Sequence, residues 1–350
     1  MQKRREFITS AIGISAAMLL PHTINASNQP VSEKGRIFPK RLKKGDTIGL
    51  IAPGFAISEK ALEETITTLK TLGLKSYHTK RILLKHDYFS NTDEERAKDL
   101  NTMFADPNID GILCVRGGYG CTRIMQMIDY ENIQKNPKVL IGFSDITALL
   151  NGIYKETGLI TFHGPVGSTL NDAYSLNQLQ KVVMNPIDQL VIKNAIIIDD
   201  ELKNNPEYNR YTITKGSARG RLVGGSLTLI NALVGTAHEI DFTNSLVCIE
   251  DVEEAPYRID RMLTQLIEGT SFTKASGIIF GVCLGCNLST NAGSVTLKNV
   301  IMDRIRPLGI PAIYGMSFGH IKNNFTFPIG IKAELNTQKM TLALLEKPVI

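Results

Sequence analysis

The chain has 350 residues, of which 43% are hydrophobic and 21% are charged, and its formal net charge at pH 7 is +5. This composition excludes the fibrous and intrinsically disordered classes, and the length favours two domains over a single core. The basic residues are spread along the chain without runs interleaved with aromatic residues, so a nucleic-acid partner is not predicted.

The first 26 residues have the layout of a secretory signal peptide. A basic start at residues 3–5 precedes an apolar stretch to Leu20, which is too short to span a bilayer, and small residues at 24–26 are typical of a cleavage site. The paired arginines before Phe7 resemble a twin-arginine export signal. We expect an exported, periplasmic protein without stable membrane insertion after processing, followed by a linker at residues 27–46. A frayed basic terminus, a membrane anchor and a cytoplasmic location are the alternatives.

Strands and helices alternate through residues 47–167, which predicts an α/β domain built on a parallel sheet. Buried strands are predicted at residues 47–52, 111–115 and 139–143. Apolar spacing and end signals predict three helices: residues 59–72 ending at Gly73, residues 92–104 opening with the capping pair Thr92 and Glu95, and a helix after Ser144 ending at Gly158.

Residues 168–218 are polar, rich in asparagine and weakly periodic, and we expect them to form a connecting and substrate-facing loop. A second domain is predicted over residues 219–350. Its helices are expected at 227–234 and from 256 onward, its strands at 245–249, 276–280 and 311–314, and a closing β-hairpin at 327–335 and 340–345.

Ser144 directly follows a buried strand and starts a helix, so we expect its hydroxyl at the carboxyl end of the sheet, where open α/β sheets bind ligands. A sharp strand–serine–helix turn also directs the next backbone N–H toward the group that the serine attacks. The sequence Gly142-Phe-Ser-Asp145 resembles a nucleophile elbow, but Ile146 replaces the usual final glycine. A helix N-cap serine explains the same local sequence at least equally well.

A serine nucleophile needs a base, and the base needs an orienting group. Among the six histidines, His163 and His320 lie beside glycines after apolar runs, and position alone does not choose between them. Glu250 ends an apolar run, where a carboxylate can hold the tautomer of a histidine. The alternative is that the acids at 250–254 complement the N-terminus of the helix that starts at Pro256.

Five cysteines remain after the first 26 residues, an odd number that makes a poor disulfide framework in a chain of this length. Cys114 and Cys248 lie in apolar strand-like runs and are predicted to be core residues. Cys283 and Cys286 have the spacing of a redox motif, but no second pair or nearby histidine cluster completes a metal site. We predict no metal and no cofactor.

Several longer motifs resemble the LD-carboxypeptidase family of serine peptidases, which includes the muropeptide carboxypeptidases and the microcin C self-immunity peptidases. The matching stretches keep their order along nearly the whole mature chain: residues 47–54, Arg116-Gly-Gly-Tyr-Gly120, Leu140-Ile-Gly-Phe-Ser-Asp-Ile-Thr147, Thr161-Phe-His-Gly-Pro165, residues 224–227, 249–251 and 256–261, and Phe318-Gly-His320.

The resemblance implies a fold and a catalytic triad. The implied fold is an amidotransferase-like N-terminal α/β domain with a parallel sheet, joined to a smaller, β-rich C-terminal α/β domain, and the site lies in the cleft between the two. Ser144 is implied as the nucleophile, Glu250 as the orienting carboxylate and His320 as the general base. The implied assembly is a homodimer.

The resemblance also implies the groups around the triad. The backbone N–H groups of Asp145 and Gly118 are the implied oxyanion hole, and His163 becomes a structural or pocket residue. A terminal carboxylate in the substrate calls for a cation in the pocket. Arg258 and Arg261 are candidates, although pairing with nearby acids on the helix surface explains each of them equally well.

The implied activity is hydrolysis of the L,D peptide bond that releases terminal D-alanine from a murein tetrapeptide. A peptidase for an amide-linked peptide conjugate, as in the microcin branch, is the alternative within the family. The chain has no tryptophan, which favours muropeptides because the microcin-type branch stacks an aromatic loop residue on a nucleotide-like group, although Tyr or Phe can also stack. An exported protein that binds peptides without cleaving them is the alternative from another class.

Overall fold

The computed structural model describes residues 35–287 and 295–350. Within this part of the chain the strands, in order, are β1 (Thr47–Ile51), β2 (Lys75–Tyr77), β3 (Gly111–Cys114), β4 (Val139–Gly142), β5 (Thr161–His163), β6 (Val191–Ile192), β7 (Tyr211–Thr214), β8 (Ser217–Ser226), β9 (Ser245–Glu250), β10 (Gly277–Phe280), β11 (Ala312–Tyr314), β12 (Phe327–Ile329), β13 (Lys332–Asn336) and β14 (Thr341–Leu344). The α-helices are α1 (Glu59–Thr71), α2 (Asp93–Ala105), α3 (Cys121–Ile124), α4 (Tyr130–Lys135), α5 (Thr147–Thr157), α6 (Ala173–Leu179), α7 (Asp200–Asn204), α8 (Leu227–Leu233), α9 (Pro256–Gly269) and α10 (Leu297–Ile305).

The first sheet has six strands in the order β12-β5-β4-β3-β1-β2. The five strands from the N-terminal half pair in parallel, and β12 joins β5 antiparallel. Strands β3 and β4 are buried along their whole length, as expected for parallel strands that are covered on both faces. The α/β prediction for this half of the chain is confirmed.

The helix boundaries in this half follow the signals in the sequence. The Thr92 side chain accepts a hydrogen bond from the backbone N–H of Glu95 at the start of α2, which is one half of the predicted capping box. The other half does not form, because the Thr92 N–H donates to Asn91 Oδ1 and the Glu95 side chain pairs with Arg81. Helix α5 ends at Gly158, whose φ of 80° lies in the left-handed region that glycine adopts without a steric penalty.

The second sheet has eight strands in the order β6-β14-β13-β8-β9-β10-β11-β7. Its centre, from β8 to β11, is parallel, and the strands on both flanks are antiparallel. The predicted β-rich second part is therefore confirmed. No helix in residues 35–287 or 295–350 combines the length and the apolar character that a membrane crossing requires.

Three features differ from the sequence-based expectation. Strands β13 and β14 form the predicted hairpin, but β12 leaves it and pairs with β5 of the first sheet, where Phe327 lies opposite His163. The predicted loop at 168–218 contains α6, α7 and the two edge strands β6 and β7. Strand β8 is not predicted from the sequence. Its first half is partly exposed and alternates polar with small residues, so it lacks the apolar pattern of a buried strand.

The predicted signal peptide and residues 27–34 of the predicted linker lie outside the described residues. Residues Gly35–Ile350 form one compact unit that contains both sheets. The boundaries proposed for the two domains, 47–167 and 219–350, stay a prediction, as does the linker assignment of the remaining residues 35–46.

Candidate active site

Ser144 lies in a sharp turn between β4 and α5. Its φ is 63°, in the left-handed region that a residue with a side chain occupies only at a cost of about 1 to 3 kcal/mol. A Cβ atom on Gly142 would lie 2.7 Å from Ile146 Cγ2, so the turn is tight enough to require glycine there. Its conformation is that of a nucleophile elbow, with Ile146 where the final glycine usually stands.

A chain of hydrogen bonds connects Ser144 to a carboxylate through a histidine. Ser144 Oγ lies 2.9 Å from His320 Nε2, and His320 Nδ1 lies 2.7 Å from Glu250 Oε2. Glu250 is the last residue of β9 and is fully buried, whereas 19% of the His320 side chain is exposed. The structure therefore brings together the three residues of the predicted triad from strand ends and a loop that are far apart in sequence.

Gly319 allows His320 to approach the carboxylate. Its φ is 117°, and a Cβ atom at this position would lie 3.1 Å from both Cβ and Oε2 of Glu250. Any other residue would meet the backbone strain of that φ and would crowd the carboxylate. Gly319 is also bridged to Val282, which ties the histidine loop to the end of the second sheet.

The charges of Glu250 and His320 stabilise each other. Burial alone raises the pKa of Glu250, but the attraction and hydrogen bond of His320, together with the nearby ring of His163, lower it to about 2. Burial lowers the pKa of His320, and the charge and hydrogen bond of Glu250 outweigh that effect, so its pKa is raised above the ordinary 6.5. The two shifts keep Glu250 ionised near neutral pH and favour the protonated form of His320.

His163 lies behind the carboxylate and is fully buried. Its Nε2 is 3.8 Å from Glu250 Oε1, and its ring stacks on Phe327 with the centroids 4.5 Å apart. The side chain of His163 has no exposed surface, which favours the structural interpretation of this residue over the pocket interpretation. A substrate contact by His163 stays a prediction. Position alone left the choice between the two histidines open. His320 hydrogen-bonds to both Ser144 and Glu250, whereas neither ring nitrogen of His163 has a hydrogen-bond partner among the described residues, which favours His320 as the base.

The turn at 117–120 packs against the nucleophile. A Cβ atom on Gly117 would lie 3.0 Å from Ser144 Cβ, while one on Gly118 would lie 2.3 Å from Phe55 Cβ. Asp145 Oδ2 accepts a hydrogen bond from the backbone N–H of Cys121, which ties the nucleophile turn to α3. The two predicted oxyanion donors, Asp145 and Gly118, therefore lie on adjoining turns beside Ser144.

Arg96, which the sequence analysis did not single out, holds this turn in place. Its buried guanidinium on α2 donates hydrogen bonds to the backbone carbonyls of Pro53 and Gly120 and pairs with Asp93. The guanidinium also lies over the Phe89 ring. The local sequence does not indicate this function, because an arginine in a helix is ordinarily predicted to be exposed to solvent.

The two arginines predicted to bind a substrate carboxylate have other partners. Arg258 Nε lies 2.6 Å from Glu254 Oε2, one helical turn away. The Arg261 guanidinium lies 5.0 Å from the centroid of the Tyr257 ring. These contacts match the alternative interpretation, in which both arginines belong to the surface of α9.

The acidic residues at 250–254 have different partners. Asp251 accepts hydrogen bonds from the backbone N–H and the hydroxyl of Thr228, at the start of α8. Glu254 pairs with Arg258 on α9. Glu250 turns toward His320. The explanation that these acids complement the helix starting at Pro256 therefore fits Glu254, but neither Asp251 nor Glu250.

All five cysteines are buried free thiols. Cys114 and Cys248 lie in β3 and β9, as predicted. Burial raises the pKa of Cys114, Cys121 and Cys248, and the neighbouring Cys286 raises that of Cys283. In residues 35–287 and 295–350 no group of three or more histidine, cysteine or acidic side chains is arranged to hold a metal ion.

A cavity of about 280 Å³ adjoins the histidine loop. Its apolar wall comes from residues 195–198, in the segment that was predicted to face the substrate, and from Val282. Arg210 and Lys322 provide the basic groups of its lining, although Arg210 donates a hydrogen bond to the backbone carbonyl of Ala195.

Comparison with known proteins identifies similarity to LD-carboxypeptidases. Residues 48–164 match the family model for the LD-carboxypeptidase N-terminal domain, and residues 219–335 match the model for the LD-carboxypeptidase C-terminal domain. The chain is 38% identical over 309 residues to the probable murein peptide carboxypeptidase of Bacillus subtilis (strain 168), covering 87% of this chain and 93% of that protein.

Two solved structures share the fold. An MccF-like protein from Bacillus anthracis has a TM-score of 0.78 and 27% identity, with 88% of this chain and 99% of that chain covered. A muramoyltetrapeptide carboxypeptidase from Oxalobacter formigenes has a TM-score of 0.72 and 26% identity, with 85% and 97% covered. The two matched family segments include Ser144, Glu250 and His320.

Proposed function

This chain belongs to the LD-carboxypeptidase family and is a peptidase, and on that premise we propose that it is a serine carboxypeptidase that releases terminal D-alanine from murein tetrapeptides. The observation that carries the proposal is the hydrogen-bonded chain from Ser144 through His320 to Glu250, at 2.9 and 2.7 Å. The orientation of each group matches what a hydroxyl nucleophile, a general base and an orienting carboxylate require.

The first half of the reaction forms an acyl-enzyme. Ser144 Oγ attacks the carbonyl carbon of the L,D peptide bond while His320 Nε2 takes the hydroxyl proton. Glu250 holds the other ring nitrogen and stabilises the imidazolium that forms. His320 then passes its proton to the amine nitrogen of the departing D-alanine, and the carbon–nitrogen bond breaks.

The second half hydrolyses the acyl-enzyme. A water molecule gives its proton to His320 as its oxygen attacks the ester carbonyl, and the proton returns to Ser144 Oγ when the ester bond breaks. In both halves we propose that the backbone N–H of Asp145, with Gly118 as the second donor, stabilises the oxyanion.

The substrate assignment rests on similarity and on composition. The Bacillus subtilis relative is named for murein peptides, and the Oxalobacter formigenes structure for a muramoyltetrapeptide. The chain lacks the tryptophan that would favour stacking on a nucleotide-like group. The second candidate, a peptide-conjugate peptidase, is favoured by the similarity to the MccF-like structure.

Incubation of the purified protein with a murein tetrapeptide tests the proposal. We expect release of one D-alanine per peptide, measured by a chiral amine assay, and covalent labelling of Ser144 by a fluorophosphonate. Labelling at Ser144 with cleavage of an aminoacyl-nucleotide conjugate, but not of the tetrapeptide, would support the second candidate function, a peptide-conjugate peptidase. A protein that binds the peptide with neither labelling nor cleavage is a binding protein, and both peptidase proposals are then wrong.

We also propose that the enzyme works outside the cytoplasm, where it trims wall peptides directly rather than recycling imported ones. The support is the basic and apolar pattern of the first 26 residues. Twin-arginine export carries folded proteins, which suits a triad assembled from both halves of the chain. The homodimer stays a prediction.

A further inference from the structure

A carboxypeptidase must distinguish a terminal carboxylate from an internal peptide bond, and a cation near the scissile bond is the usual means. The arginines that the sequence suggested for this task have other partners: Arg258 pairs with Glu254, just before α9, and Arg261 lies over the Tyr257 ring. The cation must also be close to Ser144, because the carboxylate of the leaving D-alanine lies within one residue of the attacked carbonyl, about 3.5 Å of chain.

Arg116 meets the positional requirement. It follows β3 and precedes Gly117, whose Cβ position lies 3.0 Å from Ser144 Cβ. Its side chain is exposed. Within residues 35–287 and 295–350 its guanidinium forms neither an ion pair nor a hydrogen bond, and it lies over the Phe55 ring, 4.8 Å from the ring centroid.

An aromatic cluster positions that guanidinium next to the turn that packs against the nucleophile. Phe55 lies 6.0 Å from Tyr88 and 6.1 Å from Tyr119, measured between ring centroids. The backbone N–H of Phe55 donates to the carbonyl of Gly117 at 3.0 Å, which couples the cluster to the turn at Ser144. Stacking on Phe55 restricts the plane of the guanidinium and leaves its N–H groups free to bind an anion.

Lys322 is the rival cation. It lies two residues after His320 and lines the neighbouring cavity, and its exposed ammonium has no ion pair among the described residues. An ammonium is a flexible point charge, however, whereas a guanidinium offers two parallel N–H groups that match a carboxylate. Arg116 is also the cation that is held in place by an aromatic ring.

We propose that Arg116 binds the terminal carboxylate of the substrate and thereby confines the enzyme to the last peptide bond. The inference rests on the proposed carboxypeptidase function and deepens it by assigning the specificity site. A substrate whose terminal carboxylate is amidated, or followed by a further residue, loses the paired hydrogen bonds to Arg116. Such a substrate is then cleaved slowly.

The experiment compares two substrates and four proteins. The substrates are a murein tetrapeptide with a free terminal carboxylate and the same peptide as a terminal amide. The proteins are the wild type, Arg116→Gln, Lys322→Gln and Arg123→Gln. Arg123 is a matched control, because it is also an exposed arginine over a phenylalanine ring but is paired with Asp93.

We expect the wild type to prefer the free acid over the amide by about 100-fold in kcat/KM. Arg116→Gln should lose most of this preference, because its kcat/KM falls for the free-acid peptide. Its kcat/KM for the amide should change less than about threefold. Fluorophosphonate labelling of Ser144 should keep its rate in this variant, because the reagent carries no carboxylate. Lys322→Gln and Arg123→Gln should keep the preference.

Retention of the preference in Arg116→Gln, or its loss in Lys322→Gln instead, overturns the inference while leaving the proposed function intact. If Arg116→Gln is poorly folded by thermal melting, Arg116→Lys takes its place and should keep a reduced preference. A wild type that releases D-alanine from neither substrate overturns the proposed function itself, and the assignment of Arg116 with it.

Discussion

Asn151 in α5 forms two hydrogen bonds with the backbone of Gly224 in β8, one in each direction. Its side-chain amide donates to the Gly224 carbonyl at 2.9 Å, and its side-chain oxygen accepts from the Gly224 N–H at 3.1 Å. Nearby, Thr147 Oγ1 accepts from the backbone N–H of Ser226. The helix that follows the nucleophile is thus fixed to the sheet whose next strand, β9, carries Glu250.

Asn151→Ala tests this connection. The change leaves a buried N–H and a buried carbonyl of Gly224 without partners, so we expect the free energy of unfolding to fall by about 2 to 4 kcal/mol. We also expect kcat to fall at least tenfold, because Ser144 and His320 are held by elements on either side of this contact. Urea unfolding and steady-state kinetics measure the two effects. Asn108→Ala, at an exposed position, should change neither, and unaltered kcat in a folded Asn151→Ala protein would refute the coupling.

The backbone strain at Ser144 predicts a difference between two inactive variants. Ser144→Ala and Ser144→Gly both remove the hydroxyl, and we expect each to lower kcat by about 10⁴-fold or more. Glycine avoids the steric cost of the left-handed conformation, so Ser144→Gly should be more stable than Ser144→Ala by about 0.5 to 1 kcal/mol. Parallel urea titrations measure the difference. Greater stability of the alanine variant would contradict the strain argument.

The raised pKa of His320 predicts the acid limb of the pH profile. His320 must be neutral to accept the proton of Ser144, so kcat/KM should fall as the pH drops through a pKa above 6.5. Glu250 has a pKa of about 2. It should therefore add no further limb to the pH profile of kcat/KM between about pH 4 and about pH 9. In Glu250→Gln the burial of His320 remains while the carboxylate is gone, so the residual activity should have its acid limb at lower pH. An unshifted limb would mean that another group titrates.

The same two shifts predict how stability depends on pH. The raised pKa of His320 stabilises the folded state below the unfolded pKa of about 6.5, and this contribution disappears as the pH rises through the folded pKa. The lowered pKa of Glu250 stabilises the folded state above about 4.5, and this contribution disappears as the pH falls toward 2. Thermal melts of the wild type and Glu250→Gln across this range should differ least at low pH.

His163 is predicted to be a positioning residue for Glu250. His163→Phe keeps a ring against Phe327 but removes the nitrogen 3.8 Å from Glu250 Oε1, so we expect kcat to fall roughly tenfold with little change in KM. His163→Gln keeps an N–H group near the carboxylate and should recover part of the loss. Equal activity of the phenylalanine variant and the wild type would show that His163 only fills space.

The export proposal has its own test. Changing Arg4 and Arg5 to lysine should leave the precursor at full length in the cytoplasm, since the twin-arginine pathway requires both arginines. Cell fractionation with an antibody to the mature protein measures the outcome. Mature protein outside the membrane at normal yield would exclude this pathway and leave general secretion, whereas full-length soluble protein in the native cell would exclude export.

The sequence was most informative where one local signal suffices. The N-cap at Thr92 and the glycine at 158 set helix ends through contacts within a few residues, and both predicted helix ends are confirmed. The buried strands β3 and β4 were evident as continuous apolar runs bounded by turns. Strands β6 and β12, at two and three residues, are too short to produce a period, and their pairing depends on distant partners.

The candidate site shows the same limit. Ser144 and Glu250 were identifiable as polar residues at strand ends, but His163 and His320 looked equivalent in sequence. The bond between His320 and Ser144 spans 176 positions, and only the resemblance to known peptidases suggested it beforehand. The Asn151 contact and the buried Arg96 had no local signal, because their partners are backbone groups of remote turns.

The position of β12 affects how the chain folds while it is being synthesised. The strand that completes the edge of the first sheet leaves the ribosome long after β5, with which it pairs, at an interval of roughly 10 to 30 s at ordinary rates of elongation. During that time β5 exposes a row of unpaired backbone groups, which is the kind of edge that captures strands from other nascent chains. A truncation before residue 327 makes this exposure permanent, so a chain that retains the complete nucleophile turn would still tend to aggregate.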